Sequence, residues 1–397
     1  MLHARSGSSV VVCALLLGAA ASPVSARAQG APLVRINPAA QQLAPAYWTA
    51  QRFKAARPLP LPLAAPDTRR ELQSAATAAA AGRTVASDGQ PPTEPSGYAG
   101  QQLFLPAAQP AAGAGDAAAS PLPATVPVTP SAVGSFNAYY TSTRVFPLFD
   151  GVAAPYSADR AYPYRSVGIL FFSINGQPYL CSASVIQRRV VATAGHCVHN
   201  GSAAGFYDNW VFVPAYRDGN APFKAWNWRM VSVAPAWANG SGFVPNAGDF
   251  AMIEFADQSL APNAKPTRLG YVTGWLGWQT QNLLPNHTTK LGYPCNLDNC
   301  GKLQAVTSNS HAASFPNNVE YGSDAGGGSS GGPWVQNFQV LAQGGGTGIN
   351  TGANRVVGVT SYGYTTAEPK LQGASILDSQ WVDLWNQMCS QPGNCTP

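Results

Sequence analysis

Short apolar runs separated by Gly, Pro and Asn follow one another along the chain beyond about residue 140. The runs are SVGILFFSI (166–174), YLCSASVI (179–186), RVVATA (189–194), WVFVPAY (210–216), RMVSVAP (229–235), DFAMIEF (249–255) and RVVGVTSYG (355–363). Many short runs of this kind, with little helical periodicity between them, are typical of antiparallel β barrels or sandwiches. The pattern predicts an all-β fold, and about 250 residues suffice for two small barrels that share one interface.

A helical spacing of apolar residues appears close to the C-terminus. The apolar residues at positions i, i+3, i+4 and i+7 are Trp381, Leu384, Trp385 and Met388. Residues at these intervals form one apolar stripe on a helix. Asp378 or Ser379 stands where an N-cap residue accepts a hydrogen bond from the first turn. The pattern therefore predicts a single helix that closes the chain.

The segment from Gln29 to about residue 140 has a different composition, dominated by Ala and Pro, as in PLPLPLAAP at 58–66. It offers few large apolar side chains, and its prolines disfavour helices and sheet ladders, so we expect it to be largely disordered. A short island at Thr68–Arg83 has helical character. Two interpretations stay open, a disordered spacer and a propeptide that delays activity, and we favour the propeptide.

The first 28 residues have the features of a secretory signal. His3 and Arg5 give a basic start, an apolar run covers Val10 to Ala21, and Ala26-Arg27-Ala28 provides a cleavage site with small residues. No later apolar stretch is long enough to span a bilayer. We therefore expect three parts: a signal peptide (1–28), a Pro/Ala-rich propeptide or linker (29–140) and a β-rich domain (141–397). We expect the mature protein to be secreted, either extracellular or periplasmic.

An even set of cysteines is left once Cys13, in the signal, is set aside. The set consists of Cys181, Cys197, Cys295, Cys300, Cys389 and Cys395. In an exported chain such a set indicates disulfides, and six cysteines allow 15 pairings. Sequence proximity favours 181 with 197, 295 with 300, and 389 with 395. A zinc cluster is disfavoured because the chain has no pair of CxxC motifs.

Charge excludes one class of partner. The net charge of +5 is spread over a chain in which only 10% of residues are charged. No dense Lys/Arg run is available to follow a phosphate backbone, so we expect no nucleic-acid partner. We expect no cofactor and no metal either. Asp298, in the loop CNLDNC, could help to hold a calcium ion, but a disulfide-closed turn explains that loop as well.

Three stretches carry candidate chemistry for nucleophilic catalysis by serine, which needs a base, a carboxylate that orients the base, and oxyanion donors. His196 lies in VVATAGHC at the end of a predicted strand. Asp249 lies in AGDFAMIEF, where a buried carboxylate requires donor partners. GGGSSGGPW at 326–334 is either a flexible spacer or a tight turn that presents a serine.

Together these motifs resemble the chymotrypsin-like (trypsin-like) serine peptidases, which carry His, Asp and Ser in this order. The resemblance covers about residues 160–390. AYPYRSVGIL near 161 and GYP at 292–294 most resemble the bacterial glutamyl-endopeptidase branch. The resemblance implies two six-stranded antiparallel β barrels with the site in the cleft between them.

Residue roles follow from the same resemblance. The serine directly before Gly-Gly-Pro, Ser330, is the implied nucleophile, His196 the general base and Asp249 the residue that orients it. The amides of Gly328 and Ser330 form the implied oxyanion hole. Ser361 supports the buried Asp, and the implied strand that pairs with the substrate backbone is Ser361, Tyr362 and Gly363.

Activation departs from the trypsin-like pattern at one position. Trypsin-like members have an Asp before the nucleophile, which captures the freed N-terminus, whereas this chain has Ser329. We therefore do not expect activation through that ion pair. Removal of the Pro/Ala-rich segment is still expected, by cleavage between residues 135 and 165.

Two residues bear on which substrate side chain precedes the scissile bond. Asp324 matches the floor of the pocket that binds Lys or Arg in trypsin-like members, and an unpaired buried carboxylate favours a cation. Glutamyl-type relatives commonly bind the substrate acid with a His, and Thr360 stands where that His is expected. We lean towards cleavage after Arg or Lys, with Glu specificity as the alternative.

The sequence thus predicts a monomeric, secreted serine endopeptidase that cleaves protein or peptide substrates through an acyl-enzyme, without a membrane anchor in its mature form. A competing hypothesis is an inactive secreted binding or adhesion protein on the same fold. An α/β-hydrolase esterase is disfavoured, since the chain lacks a GxSxG elbow between a strand and a helix.

Overall fold

The computed structural model describes residues 30–40, 46–64, 83–94, 101–104, 138–145, 147–148, 156–339, 350, 352–364 and 370–395. The predicted signal peptide, with Cys13, lies outside the described residues. So does the predicted helical island, apart from Arg83. Statements below refer to the described residues.

The described part of the segment that precedes the barrels contains one short helix and several short strands. They are β1 (Leu33–Ile36), α1 (Ala50–Ala55), β2 (Arg57–Pro58), β3 (Leu63–Ala64), β4 (Ala86–Ser87), β5 (Gln101–Gln102), β6 (Tyr140–Arg144), β7 (Pro147–Leu148) and β8 (Tyr156–Ser157). Helix α1 begins after Thr49, whose side chain accepts a hydrogen bond from the Arg52 amide. Trp48 stacks on Phe53 with ring centroids 4.7 Å apart, and both rings contact Phe171 of the first barrel. These pieces are therefore packed, where the composition predicted a segment without a core.

The first barrel contains most of the strands that the apolar runs predicted. Its strands, with the short β13, are β9 (Val167–Ile174), β10 (Gln177–Val185), β11 (Val190–Thr193), β12 (Asp208–Pro214), β13 (Asn220–Ala221), β14 (Trp226–Val233) and β15 (Ala251–Phe255). Antiparallel pairs run in the order β14-β12-β9-β10-β11-β15, and a further pairing of β15 with β14 closes the ring. The interior includes fully buried side chains such as Phe212, Phe255 and Ile253. Burial of these apolar surfaces is the main contribution to barrel stability.

The second barrel follows in the chain. Its region comprises β16 (Gly277–Gln279), β17 (His287–Gly292), β18 (Gln304–Ser314), β19 (Asn318–Gly322), β20 (Pro333–Gln336), β21 (Arg355–Val359), β22 (Tyr362–Tyr364) and β23 (Leu371–Ser375). Six antiparallel strands pair in the order β23-β19-β18-β17-β20-β21. Helices α2 (Pro235–Ala238) and α3 (Leu269–Thr273) and four 3-10 turns, at Ala158–Arg160, Tyr164–Ser166, Gly195–Cys197 and Asp298–Cys300, connect the strands. The predicted fold class is confirmed.

Strand β18, with the sequence QAVTSNSHAAS, is absent from the predicted runs. Its first half lies between β17 and β6, and its second half pairs with β19. The backbone of β18 forms its hydrogen bonds with these neighbouring strands, and the small polar side chains of β18 fit a partly buried surface. Apolar periodicity alone does not reveal a strand of this kind.

The predicted C-terminal helix is α4 (Ser379–Cys389). Its N-cap is Asp378, whose carboxylate accepts a hydrogen bond from the Gln380 amide at 2.9 Å. Of the four residues of the predicted stripe, Trp381, Leu384 and Met388 are fully buried, whereas Trp385 is partly buried and packs against Trp278.

Disulfides join Cys181 to Cys197, Cys295 to Cys300 and Cys389 to Cys395, the pairs that sequence proximity favours. Within the loop closed by the second pair, the Asp298 carboxylate binds Arg144 and accepts a hydrogen bond from Gln304. The hydrogen bond from Arg144 lowers the pKa of Asp298. This carboxylate already has cationic and amide partners, which accounts for it without a calcium ion.

Among the residues that the structure describes, no helix has the length and apolar character required to cross a membrane.

The role of α4 leads to a stability prediction. Replacing Trp381 with Ala removes a ring that packs against Phe250 and Trp278, at centroid distances of 5.6 and 6.1 Å. We expect the free energy of unfolding to fall by about 3–5 kcal/mol. The exposed Asp383 on the same helix provides the control, because Asp383→Ala should change it by less than about 0.5 kcal/mol. Urea unfolding followed by circular dichroism measures both, and equal midpoints would contradict this account.

Candidate active site

A buried histidine and a buried aspartate form the centre of the site. His196 lies in the 3-10 turn after β11, and Asp249 lies two residues before the first residue of β15. The Nδ1 atom of His196 lies 2.8 Å from Asp249 Oδ2, and the His196 amide donates to Oδ1 at 2.8 Å. A carboxylate accepts the proton on Nδ1, so Nε2 is left with the free lone pair. The ring is thus held in the tautomer that can accept a proton.

The second barrel also contacts Asp249. Ser361, between β21 and β22, donates to Asp249 Oδ2 at 2.5 Å. The Asp249 amide donates to Ser375 Oγ in β23 at 3.1 Å, and that hydroxyl donates to Asn246 O at 2.8 Å. Asp249 is fully buried, and its carboxylate is satisfied by donors from both barrels. The buried His196–Asp249 pair therefore lies at the seam between the barrels.

The turn that carries His196 is fixed by close packing. A β-carbon at Gly195 would lie 2.7 Å from the Trp237 ring and 3.0 Å from Asp249 Oδ1, so glycine is required for this approach. The Cys181–Cys197 disulfide ties the turn to β10. One ring nitrogen of His196 lies within 4.8 Å of both sulfur atoms. Because the two sulfurs are bonded to each other, we interpret this cluster as a disulfide that holds the turn and not as a metal site.

The stretch GGGSSGGPW forms a tight turn and not a flexible spacer. Ser329 Oγ donates to Gly326 O at 2.7 Å, and the Gly332 amide donates to Ser329 O at 2.9 Å. Gly328 and Gly331 have φ values of +95° and +75°, which glycine adopts without strain. The turn leads directly into β20, as the PWV sequence indicated.

Ser330 sits on this turn against the segment that leads to His196. The Ser182 amide donates to Ser330 O at 2.7 Å, and a β-carbon at Gly331 would lie 2.1 Å from Thr193 Oγ1 and 2.8 Å from the Ala194 amide nitrogen. Ser330 Oγ and His196 Nε2 are both buried, and neither has a hydrogen-bond partner among the described residues. The two groups are thus not hydrogen-bonded to each other in this conformation.

The backbone amides of Gly328 and Ser330 find no acceptor within the described part of the chain. Neighbouring groups hold this part of the turn: the Cys295 amide donates to Gly327 O at 2.8 Å, and Ser182 Oγ donates to Gly328 O at 2.8 Å. Free amides on a fixed turn can stabilise an anionic oxygen. Sequence reasoning missed Ser182, although its place directly after Cys181 ties it to the His196 loop.

The predicted specificity residues lie near a lysine that the sequence did not single out. Asp324 is partly buried, and its Oδ1 atom has no hydrogen-bond partner among the described residues. Lys290 of β17 is buried, donates to Gly322 O at 2.7 Å, and lies over the Tyr321 and Trp334 rings. Burial lowers the pKa of Lys290 well below its usual value, and the Asp324 charge opposes this shift.

Thr360 accepts a hydrogen bond from Trp334 Nε1 at 2.8 Å, which orients its hydroxyl. Tyr362 is fully buried and its hydroxyl lies 3.4 Å from Glu320 Oε1, so its side chain contributes to the core. The Gly363 amide lies at the edge of β22 that pairs with β3, and it donates to a carbonyl of the N-terminal segment. A further residue missed from the sequence is Gln372, whose amide donates to Ala325 O and Ser329 Oγ and so braces the turn.

Comparisons with known proteins indicate the family. The sequence model of the family described as Trypsin matches residues 157–381, more than half of the chain. Glutamyl endopeptidase of Bacillus licheniformis is 26% identical over 175 residues, which cover 44% of this chain and 49% of that protein. The match thus spans about half the length of that relative.

Two solved structures are also similar. The protease Anisep from Arthrobacter nicotinovorans is 22% identical with a TM-score of 0.49, and the match covers 63% of this chain and 100% of that one. A Glu endopeptidase in complex with MPD is 25% identical with a TM-score of 0.45, covering 63% of this chain and 97% of that one.

The packing of the turn predicts the effect of adding one methyl group at Gly331. Gly176 has the same φ of +75° but nothing within 4 Å of its β-carbon position, so it isolates the backbone contribution. We expect Gly176→Ala to lower the free energy of unfolding by about 1–2 kcal/mol, and Gly331→Ala by at least about 3 kcal/mol because it also collides with Thr193. Urea unfolding followed by tryptophan fluorescence compares them. Equal losses of stability in the two variants would contradict the close approach of Gly331 to Thr193.

Proposed function

The chain belongs to the trypsin family, and we propose that it is a secreted serine endopeptidase that cleaves protein or peptide substrates through an acyl-enzyme on Ser330. The observation that carries this proposal is the fully buried Asp249 carboxylate, which binds both the amide and Nδ1 of His196. A carboxylate in this position orients the imidazole as a general base, and it stabilises the imidazolium that forms transiently when the ring takes the hydroxyl proton.

The proposed reaction uses only side chains and amides of this chain. Ser330 Oγ attacks the scissile carbonyl carbon while His196 Nε2 takes the hydroxyl proton, and the Gly328 and Ser330 amides stabilise the oxyanion. His196 then returns the proton to the leaving amine as the peptide C–N bond breaks. Water hydrolyses the ester with the same base, which releases the acid product and restores Ser330. The step requires a hydrogen bond between Nε2 and Oγ that this conformation does not contain, and catalytic hydrogen bonds often form only on substrate binding.

Processing and location belong to the same proposal. We infer a signal peptide at 1–28, a propeptide at 29–140 and a peptidase domain at 141–397, with cleavage between 135 and 165. Three disulfides support an oxidising compartment. We further propose a monomer without a membrane anchor.

Specificity has two candidates, each with a supporting observation. The unpaired Oδ1 of Asp324 supports cleavage after Arg or Lys. Lys290 acts in the opposite direction when it is protonated, since its ammonium then offsets the Asp324 charge and favours an acidic side chain; burial, which lowers the pKa of Lys290, reduces this effect. The name of the glutamyl endopeptidase relative is consistent with this second candidate. We place Arg or Lys first and Glu second.

Covalent labelling tests the proposed nucleophile. An organophosphonate that forms an ester with active-site serines should label the wild-type protein, and Ser330→Ala should abolish both the label and peptide hydrolysis. Ser329→Ala is the matched control, because Ser329 is the adjacent serine and only braces the turn. Mass spectrometry of the labelled peptide identifies the site.

The competing function, an inactive secreted binding protein, gives a different result in the same experiment. Such a protein would show no label at Ser330 and no hydrolysis of any peptide by the matured form. Label on Ser329 with Ser330→Ala fully active would reassign the nucleophile. Neither result is expected.

Lys290→Met separates the two specificities. If Asp324 governs the pocket, removing the opposing charge should raise kcat/KM for Arg and Lys peptides over Glu peptides by about tenfold. If Lys290 supplies the charge that attracts an acid, kcat/KM for Glu peptides should fall by a similar factor. The exposed Lys265→Met is the control for net charge. A peptide library that varies the residue before the scissile bond measures the change, and cleavage only after apolar residues would contradict both candidates.

A further inference from the structure

Residues Arg57–Ala64, with the sequence RPLPLPLA, cross the seam between the barrels; they are called the Pro/Leu segment below. The segment begins on the first barrel. Strand β2 pairs in parallel with β10, with Arg57 opposite Tyr179 and Pro58 opposite Leu180. The Leu59 amide donates to Leu180 O at 3.0 Å. Leu180 directly precedes Cys181, so this contact lies beside the clamp that holds the His196 turn.

The middle of the Pro/Leu segment passes the turn that carries Ser330. A β-carbon at Gly327 would lie 3.3 Å from Leu59 O, 3.5 Å from Pro58 Cβ and 3.8 Å from the Leu61 amide nitrogen. Gly327 is three residues before Ser330 and adjacent to Gly328. The segment therefore covers the rim of the candidate site.

The end of the Pro/Leu segment lies on the second barrel. Strand β3 pairs in parallel with β22, with Leu63 opposite Gly363. The Gly363 amide donates to Pro62 O at 2.9 Å, and the Leu61 side chain approaches to 3.0 Å from the β-carbon position of Gly363. This is the sheet edge to which the proposed function assigns the substrate backbone. The segment occupies the donor that a substrate would use.

Neighbouring elements anchor the Pro/Leu segment at its start. Strand β1 pairs antiparallel with β14, and Trp48 and Phe53 pack on Phe171 just before the segment. Trp48 Nε1 also donates to Asn209 O at 2.6 Å. A tethered segment has a high effective concentration at its binding site, so weak individual contacts suffice to keep it bound.

The proline pattern makes the Pro/Leu segment a poor substrate. Pro58, Pro60 and Pro62 alternate with leucine, so every peptide bond from Arg57 to Leu63 has proline on one side. A proline nitrogen carries no hydrogen, and its ring fixes φ, which restricts how the bond can be presented to a nucleophile. The segment can therefore lie across the cleft without being cut at the centre.

We propose that the Pro/Leu segment is an autoinhibitory element, which blocks the substrate edge at Gly363 and the rim at Gly327 until it is removed or displaced. This inference rests on the proposed function, since it takes the cleft as the active site. It assigns the inhibitory role of the N-terminal region to these residues.

Two substitutions of the same kind within the segment test the proposal. Leu61→Asp places a charge on a side chain 3.0 Å from the β-carbon position of Gly363, while Leu63→Asp places one on a side chain that is 55% exposed and 3.7 Å from that position. In the intact full-length chain, we expect the phosphonate to label Ser330 at least about tenfold faster in Leu61→Asp than in wild type. Leu63→Asp should stay within about threefold of wild type. Thermal unfolding of each variant checks that the barrels are intact.

A peptide added in trans provides a second measurement. An acetylated and amidated RPLPLPLA peptide in excess should slow the labelling of Leu61→Asp towards the wild-type rate, and a scrambled peptide should not. Equal labelling rates in wild type and Leu61→Asp, with no effect of the peptide, would overturn the autoinhibitory role and leave the proposed function standing. No label in any variant would overturn the proposed function, and the autoinhibitory role with it.

Discussion

The burial of one carboxylate, that of Asp249, organises the centre of this molecule. An ion without solvent must receive hydrogen bonds from its surroundings. Here His196 supplies two donors from the first barrel, and Ser361 supplies one from the second. The two barrels are therefore joined at the residue that also sets the tautomer of the histidine. A change in how the two barrels pack would therefore change the hydrogen bonds that position the His196 ring.

Most of the fold and the centre of the site could be predicted from the sequence, because each depends on short local patterns. Apolar runs located β9–β12, and the sequences around His196, Asp249 and Ser330 each signal a strand end or a glycine turn. What could not be predicted depends on contacts between distant parts of the chain. Lys290 lies in a polar run, and only the packing of Tyr321 and Trp334 over its ammonium reveals that it is buried.

The N-terminal segment was the largest difference between sequence and structure. Its composition correctly indicates few core residues, but a few are enough: Trp48 and Phe53 pack on Phe171, and β1 adds a strand to an existing sheet. A segment that has no core of its own can become ordered on the surface of another domain. Composition describes what a segment does alone, and it does not describe docking.

The hydrogen bonds of the Pro/Leu segment explain how a proline-rich chain can follow two sheet edges. Proline cannot donate, yet its carbonyl accepts as well as any other. The edge of the first barrel offers the Leu180 carbonyl, which the Leu59 amide satisfies, and the edge of the second offers the Gly363 amide, which the Pro62 carbonyl satisfies. The first edge needs a donor, which leucine provides and proline cannot, whereas the second needs an acceptor, which a proline carbonyl provides as well as a leucine carbonyl. The prolines that keep this sequence from forming an independent sheet also leave it the groups needed to bind across the seam.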